Sequence, residues 1–167
     1  MVSWQHFSRN SQNNNYLSLF QIVVIVKISI LLEACKKTIK NKLMRGNQLL
    51  KCSTGIVVPC YNEMNRIQLP KFSEFLISND FIYFCFVNDG STDGTQKILV
   101  DFVNLNPERS QLVNLSKNQG KAEAVRQGIN TLLKSSKFQL VGYWDADLAV
   151  PLTEIRGFIK SLKVTMN

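Results

Sequence analysis

Two carboxylates one residue apart, Asp145 and Asp147, stand in the stretch Tyr143-Trp144-Asp145-Ala146-Asp147-Leu148. Leu140, Val141, Tyr143 and Trp144 read as a buried strand, so both acids come where the strand stops and a loop begins. At the carboxyl edge of an open α/β sheet, that is the place where ligands bind. Hard oxygen donors suit Mg²⁺ or Mn²⁺, which take one or two carboxylates from a protein and leave other positions for water and substrate phosphate. A local reading competes, because an Asp in a loop also closes Asx-turns and caps helices. The choice turns on what other loops bring to the same edge.

Delivering such a pair needs a sheet, and from Thr54 the sequence alternates strand-like and helix-like segments. Gly55 to Val58 is a short apolar run closed by Pro59, a buried strand followed by the loop CYNEMN. Arg66 to Ser78 places Ile67, Phe72, Phe75 and Leu76 on one helical side, with Pro70 near its start. Phe81 to Val87 is a second strand, and Gly90 and Gly94 bracket the tight loop NDGSTDGT, after which a helix runs from near Asp93 to about Asn104. Gln111 to Leu115 is a third strand. Asn118-Gln119-Gly120 opens another helix, with Ala122, Val125, Ile129 and Leu132 expected on its apolar face. Lys137 or Phe138 to Trp144 is the fourth strand, and Leu152 to Val164 a last helix. Strands alternating with crossover helices predict a Rossmann-like, doubly wound, mostly parallel α/β sheet. Three polar loops, PCYNEMN, VNDGSTDGT and WDADLAV, then meet on one edge. Neither a P-loop nor a G-x-G-x-x-G fingerprint is present, so phosphate must be neutralised by other means, and a metal on Asp145 and Asp147 would do so.

Composition narrows the classes further. A chain of 167 residues with 45% hydrophobic content predicts one domain with a real core and an appendage. The formal charge of +8 is unevenly held: residues 1–54 carry eight Lys/Arg against Glu33 alone, and residues 55–167 carry twelve against eleven acids. A nearly neutral globular part lacks the footprint of a nucleic-acid binder. Cys35, Cys52, Cys60 and Cys85 show no C-x-x-C spacing and His6 is the one histidine, which argues against zinc and for free thiols, buried in the case of Cys60 and Cys85. Residues 1–53 divide from 54–167. They comprise a polar lead, the apolar run from Leu17 to Leu32, and a basic cluster from Lys36 to Arg45. Tyr16 to Cys35 supplies the roughly 20 residues a span needs, with Lys27 near its centre opposing insertion by about 2.5–3.5 kcal/mol. The basic cluster behind it would stay in the cytoplasm. The expectation is a protein on the cytoplasmic face of a membrane, or cytoplasmic if residues 1–43 are not an anchor; an interfacial helix and a helix docked on a partner are alternatives.

IVVPCYNEMNRI, FVNDGSTDGT, NQGKAEAVRQGI and GYWDADLAVP, in this order and spacing, resemble the family 2 glycosyltransferases of GT-A fold, and within them the dolichyl- and polyprenyl-phosphate glucose or mannose synthases. The resemblance covers roughly Thr54 to Leu162, the nucleotide-binding half of such a domain. It implies a transferase that passes hexose from a nucleotide-diphosphate sugar, UDP-hexose foremost, to an acceptor such as polyprenyl or dolichyl phosphate. Carried over by position, Pro59, Tyr61 and Glu63 match the first-strand loop that touches the nucleoside. Asp89 matches the acid that meets the base or ribose. Gly120 and Lys121 match the loop that closes over the nucleotide, and Asp145 and Asp147 match the pair that holds Mg²⁺ or Mn²⁺ against the donor diphosphate.

The chain departs from the family pattern at three places. Asn88 stands where many relatives carry a second Asp, and Ala149 where several have a polar residue near the metal. The family domain also runs well beyond the metal pair, so the acceptor site and any catalytic base are expected past Asn167, and Glu154 reads as a charge at a helix start. A catalytically incomplete, nucleotide-sugar-binding fragment is therefore the alternative to an active transferase.

Overall fold

The computed structural model describes residues 54–135 and 137–165, with the backbone alone for 162–165. The reading of residues 16–35 as a membrane segment, and of the basic cluster behind it, lies outside the described residues. Four strands and four helices alternate: β1 (Thr54–Cys60), α1 (Leu69–Ser78), β2 (Ile82–Asp89), α2 (Thr95–Leu105), β3 (Ser110–Leu115), α3 (Lys121–Leu133), β4 (Leu140–Tyr143) and α4 (Glu154–Thr165). The strands form one all-parallel sheet in the order β3-β2-β1-β4. This is the doubly wound α/β arrangement that the alternation predicts.

β1 is central and lies almost wholly buried, as a parallel strand covered on both faces must be. Successive residues point to opposite faces, and two cores result. Ile56, Val58 and Cys60 join Phe84 and Phe86 with Phe72, Phe75 and Leu76 of α1, Leu99 and Phe102 of α2, and Leu152 and Ile155 at the start of α4. Phe72 meets the rings of Phe84 and Phe86 edge-on, at 5.1 and 5.4 Å between centroids, a geometry that adds to the area they bury. On the other face Val57, Cys85, Val87 and Val141 pack against Ala124 and Leu132 of α3 and against Phe138. Both cysteines are free and buried. Burial pushes the Cys85 thiol up to about 11, and burial together with the charge of Glu63 pushes Cys60 higher still.

Two sequence expectations are corrected. Of the residues expected on the apolar face of α3, Leu132 is buried and Ile129 packs on the same core, whereas Ala122 is exposed and Ala124 and Gly128 are buried in its place. A Cβ at Gly128 would lie 2.4 Å from Val57 Cγ1 and 2.9 Å from Val87 Cγ2, so the helix rests on the sheet at its glycine. Counting apolar side chains cannot find a contact made by a missing one. The strand expected to close at Pro59 continues through it to Cys60. Val57 O accepts the Trp144 amide at 2.8 Å, so Pro59, two residues on, directs its missing donor toward β4, whose pairing has already ended at Val57↔Tyr143. No ladder hydrogen bond is lost. Among the described residues, no helix is long and apolar enough to cross a membrane.

Candidate nucleotide and metal site

The carboxyl ends of β1, β2, β3 and β4 carry the polar loops, and hydrogen bonds together with one ion pair join these loops into one rim. The first two are interleaved: the Asn62 amide donates to Ser91 Oγ at 3.0 Å, the Glu63 amide to Thr95 Oγ1 at 2.8 Å, and the Thr92 amide back to Asn62 Oδ1 at 2.9 Å. Asn62 takes the left-handed conformation, φ 52°, which its short amide side chain tolerates. Asp93 accepts the Thr95 amide at 2.8 Å and starts α2. Hydrogen bonding from the Thr95 side chain, then from the Thr95 and Met64 amides, holds the Asp93 carboxyl below the usual range despite partial desolvation. Asn88 uses both ends of its amide. Its Nδ2 donates to Asn114 Oδ1 at 3.1 Å and its Oδ1 accepts the Ser91 amide at 3.2 Å.

Asp89 joins β2 to the loop before α3. Only 1% exposed, its carboxylate accepts the Gln119 amide on Oδ1 and the Gly120 amide on Oδ2, each at 2.8 Å. Gly90 follows with φ +63°, and a Cβ there would lie 2.3 Å from the Lys117 carbonyl carbon and 2.4 Å from the Asn118 nitrogen. The NDG turn and the segment before α3 are therefore in backbone contact. Gly120, φ +91°, then turns the chain into α3, so that Lys121 is the first helical residue.

Lys121 reaches across to the fourth loop. Its ammonium is 2.5 Å from Asp145 Oδ1 and 5.8 Å from the centre of the Tyr143 ring. Asp145 Oδ1 is itself buried and receives no hydrogen bond, so the ammonium faces it as an ion pair of poor hydrogen-bond geometry. Asp147 is exposed, and its Oδ1 accepts the Ala149 amide at 3.0 Å, the Asx-turn that the local reading anticipates. Between them Leu148 has φ 55°, a left-handed conformation that costs a branched side chain about 1–2 kcal/mol. Trp144 anchors the loop from below, 1% exposed, with Nε1 donating to Val150 O at 2.9 Å.

The first-strand residues divide. Tyr61 is 41% exposed at the rim, Pro59 is half-buried beneath it, and Glu63 is folded inward with Oε1 on Arg66 at 2.7 Å and Oε2 buried without a hydrogen-bond partner. The rim thus holds two buried carboxylate oxygens that nothing hydrogen-bonds to, one on Glu63 and one on Asp145. A buried anionic oxygen needs a positive partner, which the Lys121 ammonium supplies to Asp145 Oδ1 and which a hard cation could also supply. Among the described residues no group of three or more His, Cys, Asp or Glu could hold a metal, so a cation on the Asp145/Asp147 pair would draw its remaining ligands from water and a ligand's oxygens, as Mg²⁺ ordinarily does. A cavity of about 440 Å³ lies elsewhere, between α1 and the β4–α4 loop, lined by Phe75, Leu148, Leu152 and Arg156 among others, and neither aspartate borders it.

Sequence reasoning missed Asn62, Ser91 and Thr95 as ties of the rim, and the Lys121–Asp145 pair. The capping pattern Asp93-Gly94-Thr95 was a usable signal for the first; the ion pair had none.

Comparison with known proteins places these loops in a wider set. The family model described as "Glycosyl transferase family 2" matches residues 55–166. The dolichyl-phosphate β-glucosyltransferase of Saccharomyces cerevisiae is 33% identical over 123 residues, covering 65% of this chain and 34% of that protein. The poly-β-1,6-N-acetyl-D-glucosamine synthase of Staphylococcus epidermidis is 30% identical over 114 residues, covering 66% of this chain and 26% of that protein. Among solved structures, a mannosyltransferase of Pyrobaculum calidifontis in complex with GDP-Man and Mn²⁺ aligns at 22% identity and a TM-score of 0.47, over 72% of this chain and 36% of that one. The chain spans 26% to 46% of the length of the curated relatives it matches.

Proposed function

The chain belongs to glycosyl transferase family 2, and from that premise we propose that it binds a nucleotide-diphosphate sugar, a UDP-hexose by preference, and passes the hexose to an acceptor such as polyprenyl phosphate. The observation that carries the reading is the joining of four loops at the carboxyl edge of one parallel sheet, with the Asp145 carboxylate, ion-paired to Lys121, among them. Sheets of this kind bind ligands at that edge where the strand order reverses, and here the reversal falls between β1 and β4.

Each part of the rim has work consistent with that reading. Tyr61, exposed at the end of β1, offers a ring face on which a base can stack. Asp89 fixes the Gln119–Gly120 backbone through both oxygens, so its service to the nucleoside is to hold the wall of the site in place. Asp145 and Asp147 would hold Mg²⁺ or Mn²⁺, which on binding supplies positive charge to a diphosphate and makes it a better leaving group. Lys121, beside Asp145, adds a second cation within reach of phosphate oxygens. Support for the dolichyl-linked class comes from the resemblance of the motifs and from the yeast relative; a poly-N-acetylglucosamine synthase among the relatives keeps other acceptors in play.

Binding of UDP-glucose, and in parallel of GDP-mannose, in the presence of Mn²⁺ tests the donor half of the proposal. The expected result is binding of UDP-glucose that is lost in Asp145→Ala. Binding that survives Asp145→Ala would remove the role given to the aspartate pair.

A further inference from the structure

We propose that the Lys121 ammonium is a resident counter-ion for Asp145, holding the position beside Oδ1 that a divalent cation would take, so that metal and nucleotide diphosphate bind interdependently. The inference rests on the reading of Asp145 and Asp147 as a metal-holding pair.

Helix chemistry does not explain a lysine here. Lys121 is the first residue of α3, where the positive end of the helix dipole opposes a cation. The acid of that first turn, Glu123, is engaged with Arg126 at 2.6 Å and Gln127 at 2.8 Å, and offers Lys121 nothing. The ammonium instead crosses to β4 and stands 2.5 Å from an Asp145 oxygen that has no hydrogen-bond donor of its own. A buried carboxylate oxygen without a partner is costly, and the ammonium offsets that cost electrostatically. The Tyr143 ring, 5.8 Å away, gives the same ammonium a second attraction.

A metal on the same oxygen would stand close beside the ammonium, and the two cations would repel each other. Entry of the metal therefore displaces Lys121, whose side chain is 59% exposed and on a flexible stem. Without an anion nearby the displaced ammonium remains close to a dication and opposes it. A diphosphate supplies the missing anion, because its oxygens can receive the ammonium while they also bind the metal. Metal entry is then weak alone and strong with the diphosphate, and linkage requires the nucleotide to gain from metal by the same factor.

The test is Mn²⁺ binding, followed by electron paramagnetic resonance on the full chain, with and without saturating UDP, for the parent, Lys121→Met and Lys121→Arg. The methionine removes the charge and keeps the stem, and the exposed position tolerates it. Expected is a rise in Mn²⁺ affinity of about tenfold for Lys121→Met without UDP, within the ordinary span of couplings between sites. The ratio of Mn²⁺ affinities with and without UDP should fall by the same factor, while Lys121→Arg keeps the parent's ratio. Unchanged or weaker Mn²⁺ binding by Lys121→Met without UDP overturns the counter-ion role and leaves the metal pair standing, because the parent would still bind. Absence of Mn²⁺ binding in all three proteins, with and without UDP, overturns the metal reading and the counter-ion with it.

Discussion

Replacing Asp89 with asparagine changes a single atom, and it should unfasten the wall that carries Gln119, Gly120 and Lys121. The carboxylate accepts two backbone amides at 2.8 Å, one on each oxygen. Asparagine keeps one acceptor and turns an NH₂ group toward the second amide. One hydrogen bond to a charged group is lost, about 1.5–3 kcal/mol, and a buried donor is left facing another donor, about 1–3 kcal/mol. Gln119 and Gly120 are exposed, so water can satisfy their amides, and the net loss should be about 2–4 kcal/mol within those ranges. Urea unfolding of the parent and Asp89→Asn, followed by far-ultraviolet circular dichroism, reads this as a lower midpoint at unchanged slope. Gly90→Ala attacks the same junction from its other side, since a Cβ would lie 2.3 Å from the Lys117 carbonyl carbon at a φ of +63°. The two losses should therefore combine less than additively in the double variant. A change below about 0.5 kcal/mol in Asp89→Asn, the range of an ordinary surface substitution, would refute the claim that this carboxylate holds the two loops together.

Two further outcomes follow from local chemistry. Hydrogen bonds from Arg126 and Gln127, aided by the Arg126 charge, hold the Glu123 carboxyl down at about 2, against an ordinary 4.5. Its ionised form thus stabilises the fold, with the contribution complete above pH 4.5 and lost as pH falls toward 2. Melting temperatures measured across that window should fall less steeply in Glu123→Gln, and identical slopes would show that the pair contributes nothing. For the apolar and basic residues 16–45, we propose attachment to a membrane with the glycosyltransferase domain on the cytoplasmic side; fractionation of the full chain against a version starting at Met44 checks it, and a full chain that stays soluble would contradict it.

The order of strands and helices was legible because each buried strand is a dense apolar run and each loop between them is marked by Gly, Asn, Asp or Pro. The position of Asp145 and Asp147 just past β4 was legible for the same reason, since they sit where such a run stops. The rest depended on which distant residues meet. The Asp89 oxygens receive amides some thirty residues away in sequence. Nothing in the local pattern of NDGSTDG indicates that. The face of α3 was read in part, through Ile129 and Leu132, but its closest approach to the sheet is at Gly128, which has no side chain to count. Arg109 is half-buried, with Nε donating to Ile82 O at 2.9 Å and a terminal nitrogen to Asn79 O. Arg156 Nε reaches the Asn79 side-chain oxygen at 2.5 Å. Asn79, 1% exposed, thereby fastens α1, β2, β3 and α4 at the edge opposite the site, through contacts that no periodicity reveals.

The most direct measurement is calorimetry of UDP binding to the full chain, with Mn²⁺ and then with EDTA, for the parent and for Asp147→Ala. If Asp145 and Asp147 hold the cation that carries the diphosphate, UDP binds in Mn²⁺, and binding is lost in EDTA and in the variant alike. Equal UDP affinity with and without the metal would contradict the account.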